Sequence, residues 1–460
     1  MVQYMDFLNR LVWGAPALLL ILGVGLYYSV TTRFVQIRML PRALKHFVAK
    51  LRREPEEEGV SPFQALCTAL AATVGTGNLV GVAGAIAIGG PGSIFWMWVC
   101  ALFGMVIKYA EATLAVFYRA EDGEGYVAGP MYMITRGIGK RWYPLAVAYS
   151  FFGVFAAFGV GNAVQINAVI SGINQVIAFC GGQRTRQGDL LLGALLAVLV
   201  GAMVLGGAKR IGQTAELLMP FVSCCYICLC VGVLVLRFRQ IPGAFCAIIR
   251  GAFSPASVTG GLVGSWFGTL RIGVSRGVFT NEAGMGTAAI AHGCARVNHP
   301  AEQGLMGIME VFLDTIVICT MTALAVLCSG IPVPYGADAG AELTLGAFSR
   351  VYGPWVTVFL ALCLCCFAFA TVLGWGLYGA RCAQFLFGPR SWGAFAMVQT
   401  AVVFLSGLLE SGTIWSLAET VNGLMAIPNL IALVKLSPQL RKLTMEYQSK
   451  SGRNCRGRYL

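Results

Sequence analysis

Long apolar runs, separated by short polar or basic stretches, set the rhythm of this 460-residue chain. A helix that crosses a bilayer needs about 20 apolar residues. Runs of that kind fall at 12–30, 63–88, 92–118, 143–179, 189–206, 213–236, 257–280, 303–329, 354–380, 392–409 and 412–435. The pattern predicts an all-α polytopic membrane protein with about eleven transmembrane helices. The 143–179 run is longer than one crossing requires, which a tilt or an extension beyond the bilayer accommodates. Asp6 and Arg10 precede the first run, a basic stretch follows it, and no small-residue cleavage site is evident. It therefore reads as a retained helix rather than a cleaved signal.

Two of these runs are interrupted. Gly75-Thr76-Gly77-Asn78 breaks the first crossing after the basic stretch, and Gly260, Gly261, Gly264, Gly268 and Gly273 punctuate the run at 257–280. A glycine-rich break abandons backbone hydrogen bonds where water cannot replace them, so it is tolerated where the backbone lines a cavity or a ligand. Glycines in membrane helices also serve close packing; Asn78 directly after the first break, and a second break at the matching place, favour transport. If the first helix is additional, ten spans divide five and five. The expected organisation is an N-terminal helix with a basic segment (1–61), two five-helix repeats of opposite orientation (62–236 and 237–436) and a basic tail (437–460). In such a frame the N–H groups opening a half-helix hold a substrate carboxylate, and freed carbonyls hold Na⁺. A nucleotide-binding reading of Gly75-x-Gly77 fails, because the next glycine is Gly81 and no strand precedes it.

Charge then orients the chain. Arg33, Arg38, Arg42, Lys45, Lys50, Arg52 and Arg53 cluster before the first break, and Lys435, Arg441, Lys442, Lys450, Arg453, Arg456 and Arg458 cluster at the end. Placing both clusters in the cytoplasm puts the N-terminus outside; Arg237, Arg239 and Arg250 then fall on the outer side, against the trend. The net charge of +13 follows from this bias and needs no nucleic acid. Only 12% of residues are charged and 57% are hydrophobic, too little polar surface for a soluble domain. The 16 cysteines sit mostly in apolar runs, where free thiols act as small hydrophobes, and three histidines are too few for a His-built metal site.

Three blocks carry a family resemblance. Gly89-Gly90-Pro91-Gly92-Ser93-Ile94-Phe95-Trp96-Met97-Trp98-Val99, ending in Ala101-Leu102-Phe103-Gly104, resembles a signature of the alanine or glycine:cation symporter (sodium:alanine symporter) family, with Ser93 where Gly or Ala is usual. Arg276-Gly277-Val278-Phe279-Thr280-Asn281-Glu282-Ala283-Gly284-Met285-Gly286 resembles a second family segment, with Thr280 for the usual Ser, and continues through Ile290-Ala291-His292 to Glu310 and Asp314-Thr315. Phe367-Ala368-Phe369-Ala370-Thr371, followed by Gly374-Trp375, resembles the eighth core helix. The match covers roughly residues 10–440.

This resemblance implies the ten-helix inverted-repeat fold of the amino acid–polyamine–cation superfamily, with one extra helix and broken first and sixth core helices. It implies uptake of alanine, glycine or a similarly small neutral amino acid, driven by Na⁺ and in some members by H⁺, across the cell membrane of a prokaryote. Carried over residue by residue, the substrate carboxylate meets Thr76, Gly77 and Asn78. Gln165 lies beside the substrate, Ile272 and Gly273 border it, and Trp375 closes the pocket. The cation lies between carbonyls near Ala72, Thr73 and Gly75 and the Thr371 hydroxyl. Ala370 stands where Ser or Thr is frequent, which implies one oxygen ligand fewer.

The remaining polar residues have plainer readings. Glu310 and Asp314 share one helix face, as a cation or proton relay or, favoured here, as a pair bridged to Arg276 or Arg271 near the cytoplasmic end. Lys108 and Glu111 read as structural, with Lys108 snorkelling to the inner interface. Asn281 and Glu282 suit a helix cap, with a gate as the alternative, and His292 reads as a loop or interface residue. Phe95, Trp96 and Trp98 suit packing and interfacial anchoring. The acidic run Glu54, Glu56, Glu57 and Glu58 reads as a solvated loop, and the tail from Ser437 as polar and loosely ordered. No cluster of nucleophile, base or metal ligands favours an enzyme; a passive channel would require a symmetric oligomer or a continuous polar stripe, and the broken helices argue for occlusion instead; no ATP-binding subunit is implied.

Overall fold

A computed structural model describes residues 14–51, 59–122, 125–337, 340–407 and 411–456. The acidic run at Glu54 to Glu58, the start of the first predicted span with Asp6 and Arg10, and Arg52, Arg53 and Arg458 lie outside the described residues. The principal helices are α1 (Ala15–Thr31), α2 (Leu40–Leu51), α3 (Pro62–Thr73), α4 (Gly77–Gly89), α5 (Ser93–Tyr118), α6 (Lys140–Phe179), α7 (Arg186–Leu205) and α8 (Gly207–Leu236). They continue as α9 (Ile241–Phe253), α10 (Trp266–Asn281), α11 (Thr287–His292), α12 (Pro300–Cys328), α13 (Gly340–Tyr352), α14 (Val356–Phe387), α15 (Ser391–Ser406) and α16 (Ser411–Arg456). A two-stranded antiparallel hairpin, β1 (Ala120–Asp122) and β2 (Gly125–Val127), follows α5.

Among the described residues, seven helices are long and apolar enough to cross a membrane, and α3 with α4 forms an eighth, bent by 56° at its break. Leu18–Thr31 and Ser391–Ser406 are shorter apolar helices, and the predicted span at 257–280 falls largely on the 16-residue α10. The single long segment predicted at 143–179 is one helix in the structure, α6.

Burial sorts the helices into layers. The most apolar stretch of α5 is 83% buried, whereas those of α7 and α8 are 33% and 28% buried. Thus α5 is central, packed by α10 and α12, while α7 and α8 present Leu191, Leu195, Val198, Leu217 and Phe221 outward, as lipid-facing helices do. The basic stretch after α1 holds the amphipathic α2, whose Leu44, Val48 and Leu51 are exposed beside Lys45 and Lys50, a pattern suited to the membrane surface.

The tail departs from expectation. Beyond Ser437 the chain stays helical in α16, burying Leu440, Leu443 and Thr444, and Tyr109 Oη lies 3.1 Å from Thr444 Oγ1. Apolar residues spaced three apart, masked by the basic composition, dock this turn on α5.

The second break also lies elsewhere than the glycine pattern places it. Gly260, Gly261 and Gly264 form an exposed turn before α10, and α10 runs unbroken through Gly268, Ile272 and Gly273. The helix ends instead at Glu282, in the left-handed conformation with φ 52°, and Gly284 and Gly286 continue with φ of 91° and 79° before α11 begins. This segment is wholly buried. Wide, π-type turns occur at Gly77–Gly81, Ala157–Ala163 and Phe312–Cys319, in the parts of α4, α6 and α12 nearest the two breaks; such turns are frequent at functional sites.

Candidate functional site

Two breaks, α6 and α14 meet around one small cavity of about 20 Å³, lined by Ala72, Thr73, Gly75, Thr76, Gly77, Val160, Gln165, Phe279, Glu282, Thr371 and Trp375. That volume holds about one water-sized molecule. The chain between α3 and α4 supplies the first side. Thr371 on α14 comes so close that a Cβ on Gly75 would sit 2.9 Å from its hydroxyl, so glycine here lets a side-chain oxygen meet the backbone. That hydroxyl donates to Phe367 O at 3.0 Å and keeps its lone pairs toward the break. The last carbonyls of α3 and the first N–H groups of α4 have no intrahelical partners, so carbonyl and N–H ends confront each other across Val74–Thr76.

Asn78, Ile272 and Gly273 do not line the cavity. Asn78 is fully buried but turned away from it: Gly75 N donates to its Oδ1 at 2.9 Å, and its Nδ2 donates to Asp314 Oδ1 at 2.7 Å. Ile272 packs against Gly89, and Gly273 lies against Ser93 and Trp96 of α5, a helix-packing position. Phe279 and Glu282, further along the chain, take their place.

Glu282 is the residue that sequence reasoning, which assigns it to capping, misses. Its carboxylate accepts from Trp375 Nε1 at 3.2 Å and from Thr287 Oγ1 at 2.8 Å, and it is 3% exposed. The available signal is an acidic residue followed by Ala283 and Gly284 inside a buried break, and only the position of the break reveals it. On α6, Gln165 Nε2 donates to Val160 O at 3.4 Å, and its Oε1 accepts from no donor among the described residues.

Further charged groups are buried in the same bundle, and the partners differ from those predicted. Lys108 does not snorkel: it is fully buried and pairs with Glu310 at 2.8 Å. The other oxygen of Glu310 lies 2.9 Å from His292 Nε2, and Gln303 Nε2 donates to His292 Nδ1 at 2.7 Å. Among the described residues neither Arg276 nor Arg271 bridges Glu310 or Asp314, and His292 is an interior residue. Asp314 accepts from Asn78 and, on Oδ2, from Thr315 Oγ1 at 2.7 Å; Asn281 Nδ2 in turn donates to Thr315 Oγ1 at 3.3 Å. Glu111 Oε1 accepts from Gly284 N and Gly286 N at 3.1 Å each and from Asn429 Nδ2 at 2.7 Å. Each carboxylate has donors, as burial demands.

A second, larger cavity of about 1040 Å³ lies between the starts of α3 and α8, the hairpin, the segment 291–296 and the end of α14. It reaches the surface at Glu121, Lys209 and Arg296 and runs inward to Thr68, one turn from Ala72, and Leu377, two residues from Trp375. Arg381 Nη1 lies 3.2 Å from Asp122 on its wall.

Two broken helices enclosing a buried polar cavity, in a bundle of apolar helices, define a secondary transporter of the inverted-repeat class. The fold agrees: the structure of MhsT in complex with L-phenylalanine superposes with a TM-score of 0.58 at 16% identity, covering 85% of this chain and 99% of that one. The family model of the sodium:alanine symporter family matches residues 1–458, and the chain belongs to that family. It is similar to the sodium/alanine symporter AgcS of Methanococcus maripaludis, 41% identical with 95% of each chain covered. It is also similar to a probable sodium/glutamine symporter, GlnT of Bacillus subtilis, 35% identical over 97% of this chain and 91% of the relative. The protein is therefore a Na⁺-coupled amino acid symporter of a cell membrane, and not an enzyme.

Proposed function

We propose that the protein imports a small neutral amino acid, alanine or glycine, together with Na⁺, by alternating access, with its N-terminus outside and its C-terminus in the cytoplasm. The observation that carries this reading is the convergence of Thr76, Gly77, Gln165 and Trp375 on one small cavity, with Ala72, Thr73, Gly75 and Thr371 at its edge. The N–H groups of Thr76 and Gly77 open a half-helix and suit a carboxylate. Carbonyls at the end of α3, facing the Thr371 hydroxyl, suit a hard cation. The fully buried Trp375 on the cavity wall favours a short side chain over that of glutamine, and the cavity widens to admit a whole amino acid. Asn78 supports the site by holding Gly75 rather than by touching the substrate.

The larger cavity suits the release path. It lies among segments that the basic clusters place on the cytoplasmic side and ends within a turn of the small one. One charge entering through 100 mV contributes about 2.3 kcal/mol, enough for roughly 50-fold accumulation.

The test is uptake of radiolabelled alanine and glycine into proteoliposomes under an inward Na⁺ gradient, repeated with choline in place of Na⁺. Uptake that collapses in choline is the expected result. Uptake that survives in choline and collapses with a protonophore would move the coupling to H⁺, the reading that Ala370 favours by removing a hydroxyl. No uptake of either amino acid would reject the substrate.

A further inference from the structure

Glu282 has no ion pair among the described residues, although it is buried and lines the cavity. Its donors, Trp375 Nε1 and Thr287 Oγ1, are both neutral, and an ionised carboxylate retains further lone pairs. A carboxylate withdrawn from water without a cationic partner is costly, so such a group either holds a proton or meets a cation. A second observation is independent of it. Gln165 is 4% exposed, lines the same cavity, and places its Nε2 3.4 Å from Val160 O. Its Oε1 is left without a donor and lies 3.7 Å from where a Cβ on Gly75 would stand. A buried acceptor lacking a donor calls for one.

We propose that Glu282 and Gln165 receive the α-ammonium group of the substrate. This rests on the reading of the cavity as the substrate site. An ammonium carries three N–H donors and a positive charge; the Glu282 carboxylate takes the charge and one donor, and Gln165 Oε1 takes another. The amino acid carboxylate then points to the N–H groups of Thr76 and Gly77, across the cavity. With Glu282 ionised, a loaded site of one Na⁺, one zwitterion and one carboxylate carries no net charge, which lowers the cost of moving it through the membrane interior. Because Glu282 also accepts from Trp375, ammonium binding acts on the residue that closes the pocket.

The experiment compares alanine with lactate, which replaces the ammonium by a hydroxyl and keeps the carboxylate and methyl group. Binding is measured by titration calorimetry on purified full-length protein in Na⁺, for the natural chain, Glu282→Gln and Gln165→Leu. The natural chain is expected to prefer alanine strongly. Glu282→Gln should weaken alanine by about 10- to 100-fold, as loss of a charged hydrogen bond does, with little change for lactate, so the ratio collapses. Gln165→Leu should move the ratio the same way by a smaller factor. The ratio is insensitive to the folded fraction, and the second variant serves if the first does not purify. An unchanged ratio in either variant overturns the assignment. So does loss of Na⁺ binding with the ratio intact, which would give the carboxylate to the cation. If the natural chain binds no alanine, the substrate reading itself falls, and this assignment with it.

Discussion

The two helix breaks solve one physical problem in different ways. At Val74–Thr76 the freed Gly75 N–H is held by the amide of Asn78, three residues along the same stretch of chain, and the amide is anchored to Asp314 on α12. At Glu282–Gly286 the freed N–H groups of Gly284 and Gly286 are held by Glu111, which comes from α5, and Asn429 of α16 donates both to that carboxylate and to Gly284 O. The first break is pinned locally by a neutral group, the second at long range by a charged one. A locally pinned segment needs few other helices to keep its shape. One pinned from α5 and α16 keeps its shape only while those helices hold station. Both pins nevertheless lead to one packed unit, because Asp314 lies on α12, Glu111 lies on α5, and α12 packs closely on α5.

The largest effect should therefore follow Glu111→Ala, which leaves the Gly284 and Gly286 N–H groups without an acceptor and takes one of two acceptors from Asn429 Nδ2. Each such donor costs about 1–3 kcal/mol. The variant is expected to lose most of its thermal stability in detergent, followed by size-exclusion fluorescence, and all measurable uptake. Glu111→Gln keeps an acceptor oxygen and should recover much of the stability. A Glu111→Ala protein as stable as the natural one would remove the charged pin and end the comparison.

Asn78→Ala should cost less, since one backbone N–H and one carboxylate lose a partner; about 1–3 kcal/mol corresponds to roughly a 5- to 150-fold fall in uptake at near-normal expression. Asn78→Asp should be worse than Ala, because it turns the 2.7 Å contact with Asp314 into one between two carboxylates. Exchanging the pair, Asn78→Asp with Asp314→Asn, restores one carboxylate and one amide and should recover uptake relative to Asn78→Asp alone. Failure of the exchange to rescue would mean that Asp314 has a task beyond anchoring Asn78.

The same contrast explains what a single sequence can and cannot announce. Gly75, Gly77 and Asn78 announce the first break because pin and break share four consecutive positions. The apolar runs likewise announce the helices, since lipid demands them. The glycine pattern points to Gly260–Gly273 for the second break, where glycines are dense, because its true pin, Glu111, lies on another helix and one sequence carries no record of that contact. For the same reason Lys108 reads as a snorkelling residue and Glu310 attracts arginine partners on paper. Their true pairing spans some two hundred positions and is fixed only when α12 packs on α5. Glu282 is legible as an acidic residue but not as part of a cavity, because its place depends on where α10 stops.

The smallest effect separates the two positions proposed for the second break. Gly264 lies in the exposed turn before α10, does not have a positive φ, and a Cβ added to it would meet no atom within 4 Å. Alanine there adds a methyl group to open surface, so Gly264→Ala should leave uptake within about twofold and stability within about 0.5 kcal/mol. Gly286 is the opposite case. Its φ is 79°, and a Cβ would run into Pro130 and come within 2.8 Å of Asn429, the residue that helps hold the break. Gly286→Ala should therefore cut uptake by about tenfold or more, since left-handed strain and overpacking each cost on the order of 1–3 kcal/mol. Measured side by side in the same proteoliposomes, a silent Gly264→Ala beside a crippled Gly286→Ala places the working break at Glu282–Gly286. The reverse order would return it to the glycine-rich turn and leave Glu111 pinning a segment that does not need to stay unwound.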